Sequence, residues 1–448
     1  MEQQQKSSIL STQGYPGTRD FYPEDMRIKN YIYASLRQTL FSFTYEEYNG
    51  PILEYLELYA SKTSEEIVRE QLYSFTDRGE RKVAIRPEMT PTLARMVASK
   101  HKEFIRPIRW FSIPTCMRNE KPQRGRLREF DQLNVDIFGG DPFDEDIEII
   151  LTAINLLTNL GAQTKDFVIR VNHRGLFDCF FDQVLSLTKD KKNILMRLID
   201  KKDKMSVEEF NAEMLKIGLN KENIKKVEQF FSSTLEELLS FFMNNKETSA
   251  QVITYIQETK EKIDILNSLT NSTCVMFDAT VMRGFDYYTG LVFEAFDTHP
   301  DNKRAMFGGG RYDDLVGAFG ADPLPGIGYG LGDVTLTNFL QGHNLLPELF
   351  KPVDVCVLRF DSVKDRVMTL DLSIKLRQLG LKVDCVVTNS KFGKQINRAE
   401  RVNCSAVAFR GADEIKNNTF CVKWLKTGEQ KFYSYTEEGF LQFKENLA

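Results

Sequence analysis

Five cations crowd into residues 118–128, at Arg118, Lys121, Arg124, Arg126 and Arg128, in a stretch broken by Pro122 and Gly125. Guanidinium and ammonium groups on a short loop suit a polyanion such as a chain of phosphates. Directly afterwards the residue types alternate, with Phe130, Gln132, Asn134 and Asp136 in one set and Leu133, Val135 and Ile137 in the other. A period of two places such sets on opposite faces of a strand, so the apolar row enters a core and the polar row faces the other way beside the arginines. That arrangement suits a site floor, and it equally suits a hairpin with a solvated face and a charged turn. Residues 283–290, Arg-Gly-Phe-Asp-Tyr-Tyr-Thr-Gly, add an arginine, a carboxylate and two phenols, and Gly308-Gly309-Gly310 precedes Arg311-Tyr312-Asp313. Consecutive glycines let a backbone approach a ligand or take positive φ. From Gly326 to Gly332 glycine alternates with larger apolar residues before Asp333, which suggests a flat ligand against a strand and an anion near the next helix start.

The elements expected to position these groups follow from periodicity. Residues 24–43 form an amphipathic helix through Ile28, Ile32, Leu36, Leu40 and Phe43, and a short extended piece ends at Gly50-Pro51. Strands at Leu72–Thr76 and Val83–Arg86 flank the turn 77–80, and Pro87-Glu88-Met89-Thr90-Pro91 opens a helix to residue 100. There Glu88 also reads as a first-turn acid complementing the helix dipole. Trp110–Thr115 is a strand, and 145–160 an apolar helix. Residues 179–269 are helical and charged, with capping-box patterns at Ser206/Glu209 and Ser233/Glu236, and form an insertion. Strands at 281–296 and 306–316 bracket residues 1–178 and 270–345 as two parts of one domain. From Pro352 strands and helices alternate, marking a separate α/β domain over 352–448.

The bulk numbers exclude several classes. A chain of 448 residues with 42% hydrophobic and 27% charged residues is globular and too long for one ordinary core. Its net charge of −4 is unlike that of a strongly basic nucleic-acid binder, although residues 352–448 hold 16 Lys and Arg against 12 Asp and Glu, a local +4 that suits RNA contact. Seven scattered cysteines without a CxxC pair indicate a reducing compartment and no zinc site. Residues 1–13 lack the apolar core of a signal peptide and no 18-residue apolar run occurs, so a cytoplasmic protein with no membrane association is expected.

Together these stretches resemble the class II aminoacyl-tRNA synthetases, and among them the histidine-specific family. Gly50-Pro51 stands where motif 1, the dimer element, ends; Cys116–Gly140 is similar to motif 2 and Gly326–Leu336 to motif 3. RGFDYYTG at 283–290 and FGGGRYDDLV at 307–316 are similar to two peptides peculiar to the histidine enzymes. The likeness runs from Pro16-Gly17-Thr18-Arg19-Asp20 to the C-terminal domain. It implies an α+β catalytic domain on a mixed, mainly antiparallel sheet with a helical insertion, followed by an anticodon-binding-like α/β domain, in a homodimer. The implied activity is ATP-dependent activation of histidine to histidyl-adenylate and its transfer to the 3′ end of tRNA. ATP enters as a substrate with Mg2+, and neither a protein-held metal nor an organic cofactor is implied.

The resemblance also implies roles for residues. Arg118 and Arg283 stabilise charge on the two sides of the reaction centre. Glu88, Met89, Thr90, Gln132, Asp136, Tyr287 and Tyr288 surround histidine, with Glu88 and Thr90 at its α-amino group and Asp136 and Tyr288 at the two imidazole nitrogens. Arg118, Glu120, Arg126, Phe130, Gly309 and Arg311 hold ATP, Phe130 stacking on adenine. One departure stands out: motif 3 ordinarily carries an arginine after its glycine strand, and there is none between Gly326 and Leu340. Either Arg126 or Arg311 supplies that contact, or it is dispensable in this branch of the family. The rival reading is a non-catalytic relative serving as a regulatory or tRNA-sensing protein; the presence of Arg118, Arg283, Glu88 and the tyrosine pair favours the enzyme.

Overall fold

A computed structural model describes residues 11–60, 70–199, 202, 205–244, 249–282, 287–302, 304–350, 352–360, 363–387 and 390–447. Arg283 lies outside the described residues. The chain forms two compact units, one of residues up to Asp20 with Asn30–Leu346 and the other of Phe21–Lys29 with Pro347–Ala448.

Among the described residues of the first unit, nine strands form one sheet. Its order is Glu46–Glu47, Ile108–Ser112, Glu129–Phe138, Gly326–Gly332, Ala305–Arg311, Leu291–Asp297, Phe167–His173 and Val275–Phe277, with Thr115–Met117 also paired to Glu129–Phe138. The pair at each outer edge is parallel and the other pairs are antiparallel, which bears out the mixed, mainly antiparallel class. The period-two row Leu133, Val135 and Ile137 is at most 2% exposed and packs over helix Pro142–Asn159. Each such burial stabilises by about 2 kcal/mol. That helix starts earlier than its apolar residues suggest, because Asp141 caps it, its Oδ1 accepting from the Phe143 N–H at 2.9 Å, with Pro142 in the first turn.

The expected strand Trp110–Thr115 divides into Ile108–Ser112 and Thr115–Met117, since Pro114 has no N–H to continue the ladder. The strand expected from Val281 begins only at Leu291. Just before it, Tyr287–Gly290 takes no regular form, and Thr289 N–H is held by the Arg311 carbonyl at 2.7 Å. Between Arg174 and Thr270 the described elements are all helical. The Ser206/Glu209 capping box is present. The second box uses Thr234 and Glu237, one residue on from the expected pair. Ser233 instead ends the preceding helix, and this register turns Leu235, Leu238 and Phe242 inward. In the second unit five strands order as Val383–Cys385, Val355–Val357, Ala406–Phe409, Thr419–Trp424 and Gln430–Ser434. Its core holds Leu372, Leu376, Phe420 and Phe443. No described helix is long and apolar enough to cross a membrane.

Candidate active site

The polar face of Glu129–Phe138 lies beside the glycine strand, with Gly328 opposite Asp136, Gly330 opposite Asn134 and Gly332 opposite Gln132. A Cβ on Gly328 would stand 2.1 Å from Asp136 Oδ1, and one on Gly330 2.4 Å from Gln132 Nε2. The alternating glycines therefore admit the Asp136 and Gln132 side chains, and Gly328 and Gly330 also line the cleft on this strand, where a ligand is expected. Gly310 likewise clears the ring of Tyr288. Gly309, expected at ATP, is buried within the sheet, where a Cβ would meet the Gly328 carbonyl at 2.1 Å. Its lack of a side chain serves strand packing.

Above this floor is a cleft of ≈ 310 Å³ lined by Glu88, Thr90, Gln132, Asn134, Tyr287, Tyr288, Tyr312, Tyr329 and the glycines 328 and 330. It brings together residues from five separated segments. Glu88 is 3% exposed and accepts from the Tyr287 hydroxyl at 3.2 Å. Thr90 opens helix Thr90–Lys100, and Met89 is fully buried at its N-terminal cap. Asp136, on the same strand face as Gln132 and Asn134, is 2% exposed and does not itself line the cleft; its Oδ1 accepts from the Tyr312 hydroxyl, while its buried Oδ2 has no partner. Burial pushes its carboxyl up to about 7, against the opposing pull of the Tyr312 hydrogen bond. Tyr312 and Tyr329 were not expected among the site residues, and Asn134 was expected only as part of the polar row. Tyr312 directly follows the strand Ala305–Arg311, and its role rests on the distant Asp136 that it meets.

The arginine loop adjoins the cleft. Arg118 donates from Nε to the Pro87 carbonyl at 3.0 Å, next to Glu88, and its guanidinium lies 5.3 Å from the Phe130 ring centre. Glu120 stands between Arg118 Nη1, at 4.0 Å, and Arg126 Nη1, at 3.4 Å. Arg128 straps the N-terminal segment onto the loop, donating to the Glu120 and Pro16 carbonyls, each at 3.1 Å, with its backbone N–H on Gly17 O. Gly17, at φ +90, leaves no room for a Cβ beside Arg128.

Arg311, expected at ATP, is corrected by its surroundings. It is 5% exposed and bound by Glu145, Asp146 and the Pro142 carbonyl. Saturated by two buried carboxylates, its charge is turned toward the helix below the sheet. The helix start expected to attract an anion carries its own in Asp333. That carboxylate accepts from Arg19 at 2.7 Å and from the Asp131 N–H at 3.0 Å. Arg19, from the N-terminal segment, is thus a cation at the position where motif 3 lacks its arginine.

Comparison with known proteins gives the family. The family model described as Histidyl-tRNA synthetase matches residues 17–333, and the Anticodon binding domain matches 354–439. The chain is 41% identical to the histidine--tRNA ligase of Leptospira biflexa over 99% of its own length and 100% of that protein. It is 34% identical to the enzyme of that name from Natronomonas pharaonis, covering 93% and 94% of the two chains. The fold is similar to the crystal structure of histidyl-tRNA synthetase from Nostoc sp. PCC 7120, at TM-score 0.78 and 22% identity, over 98% of this chain and 100% of that one. With a family model spanning most of the chain and a relative this similar over its full length, the chain belongs to the histidyl-tRNA synthetase family.

Proposed function

We propose that the chain uses ATP to activate histidine as histidyl-adenylate and then passes the histidyl group to the 3′ end of tRNA. In the first step a histidine carboxylate oxygen attacks the α-phosphorus and pyrophosphate leaves, so the protein's task is orientation and charge stabilisation. Arg118, fixed by the Pro87 carbonyl, is suited to hold the α-phosphate beside the histidine carboxylate. Glu88 and Thr90 are suited to the α-amino group at the same end of the cleft. Phe130 offers its ring to adenine and Arg126 its charge to the far phosphates. Arg283 is expected to act from the opposite side. Mg2+ accompanies ATP as a counter-ion of its phosphates; among the described residues no group of three or more His, Cys, Asp or Glu gathers as a metal site.

The observation that carries the amino-acid assignment is the buried Asp136 beside a phenol-lined cleft, with one oxygen held by Tyr312 and the other unsatisfied. An imidazole N–H supplies what Oδ2 lacks, while an apolar side chain leaves it unpaired. The second unit is read as the part that contacts the anticodon loop, and a cytoplasmic homodimer is the expected form. Pyrophosphate exchange measured with each of the twenty amino acids should respond to histidine alone; no exchange with histidine overturns the reading.

A further inference from the structure

A buried ion cluster behind the cleft joins the helical insertion to the segment carrying Tyr287 and Tyr288. Arg311 donates from Nε to Asp146 Oδ1 at 2.9 Å and from Nη1 to Glu145 Oε2 at 3.1 Å. Lys262, on the insertion helix Ala250–Thr270, reaches the other oxygen of Asp146 at 2.8 Å and is itself 5% exposed. Two cations and two carboxylates balance inside the protein, so Asp146 is shared between the insertion and the catalytic sheet. Half-exposed Glu258 lies farther from Lys262, at 3.9 Å, and Asp313 is 3.4 Å from Arg311 at the rim.

Backbone contacts carry this cluster to the cleft. The Arg311 carbonyl accepts the Thr289 N–H, and the Thr289 hydroxyl donates to Asp313 Oδ2 at 2.9 Å. A Cβ on Gly290 would stand 3.1 Å from Arg311 Cδ. Thr289 directly follows Tyr288, and Tyr312, which bonds Asp136, directly follows Arg311. Gly140, closing the motif 2 stretch, donates its N–H to Glu145 Oε1 at 2.6 Å. His173 stacks on Tyr255 of the same insertion helix, 4.1 Å between centres. Burial, with Lys262 and Arg311 nearby, pushes its pKa down to about 3, so it adds no charge to the balance.

We propose that Lys262 is a positioning residue for the amino-acid site. By holding Asp146 it fixes Arg311, and through Arg311 both Thr289 and Tyr312, so the insertion sets the spacing of Tyr288 and Asp136 across the cleft. It touches no substrate. The inference rests on reading that cleft as the histidine site, and it gives the GGGRYD arginine a role apart from phosphate.

The test is Lys262→Met, which keeps the side-chain length and removes the charge, assayed by pyrophosphate exchange on the full chain. The histidine KM should rise about tenfold while kcat and the ATP KM stay within about twofold, and Lys262→Arg should restore the histidine KM. A folded Lys262→Met protein with the unaltered histidine KM overturns the proposal, and so does an equal rise in both KM values. Should that variant fail to fold, Lys262→Met with Asp146→Asn keeps the buried charges balanced and is measured in the same way. A wild-type histidine KM in the double variant overturns the proposal, and a raised one supports it. Absence of histidine-dependent exchange in the unaltered chain strikes the functional reading instead.

Discussion

A short run of chain separates Asp136, 2% exposed and held by a buried phenol, from Arg126, whose side chain is 52% exposed with a carboxylate partner 3.4 Å away. The two face different problems. An imidazole differs from other side chains of similar size by its polar atoms, so selecting it needs a dry carboxylate whose unpaired oxygen penalises the wrong occupant. Phosphates announce themselves by charge and change partners during the reaction. Exposed guanidiniums that can follow them suffice. Within one motif, then, the floor is buried and desolvated while the loop is exposed to water, and this contrast predicts how unequally the two tolerate substitution.

The largest effect should come from the floor. Asp136→Ala is expected to lower histidine-dependent pyrophosphate exchange at least about 10³-fold, on the order of 4 kcal/mol, with little change in circular dichroism. Exchange within tenfold of the unaltered protein would remove Asp136 from the recognition role and erase the contrast.

The same burial has a thermodynamic signature. Burial pushes the Asp136 carboxyl up from the ordinary aspartate value near 3.8 to about 7, so the folded state holds the proton more tightly than the unfolded one. Its contribution to stability is complete below about pH 4, declines as pH rises toward 7, and is level above. Asp136→Asn has no such titration. Between pH 4 and 8 the wild type should therefore lose about 4 kcal/mol relative to the asparagine variant. Urea unfolding of both proteins at the two ends of that range decides it, and parallel pH curves would mean the carboxyl is better solvated than its surroundings suggest.

How much of this was legible depended on how far apart the partners lie in sequence. Leu133, Val135 and Ile137 reveal the buried face because period two is a local property, and the turn at Asp77–Glu80 was readable for the same reason. Thr234 displaced Ser233 as a helix cap because both fit the local pattern, and only the inward turn of Leu235 and Leu238 chooses between them. That the glycines 328 and 330 also make room for Asp136 and Gln132 was not readable, because these lie on a strand nearly two hundred residues earlier. Arg311 suggested a phosphate ligand until Glu145 and Asp146 were seen beneath it. Tyr312 and Arg19 escaped notice because a phenol or a guanidinium acquires meaning only from the carboxylate it meets, Asp136 in one case and Asp333 in the other.

The smallest effect should come from the loop. Arg126 sits in a turn closed by reciprocal backbone bonds with Gln123, and its guanidinium points into solvent beside Glu120. Removing it takes away one screened charge among several, since Arg118, Lys121 and Arg124 remain close in sequence. Arg126→Ala should therefore raise the ATP KM about tenfold, leave the histidine KM unchanged, and make that ATP KM less sensitive to added salt. Exchange kinetics over a range of ATP and salt concentrations measure all three. An unchanged ATP KM would take Arg126 off the phosphates and shift attention to Arg19 near the missing motif 3 arginine. A loss as deep as that of Asp136→Ala would show the loop to be as unforgiving as the floor, because a guanidinium that exposed can cost so much only if ATP buries it completely on binding.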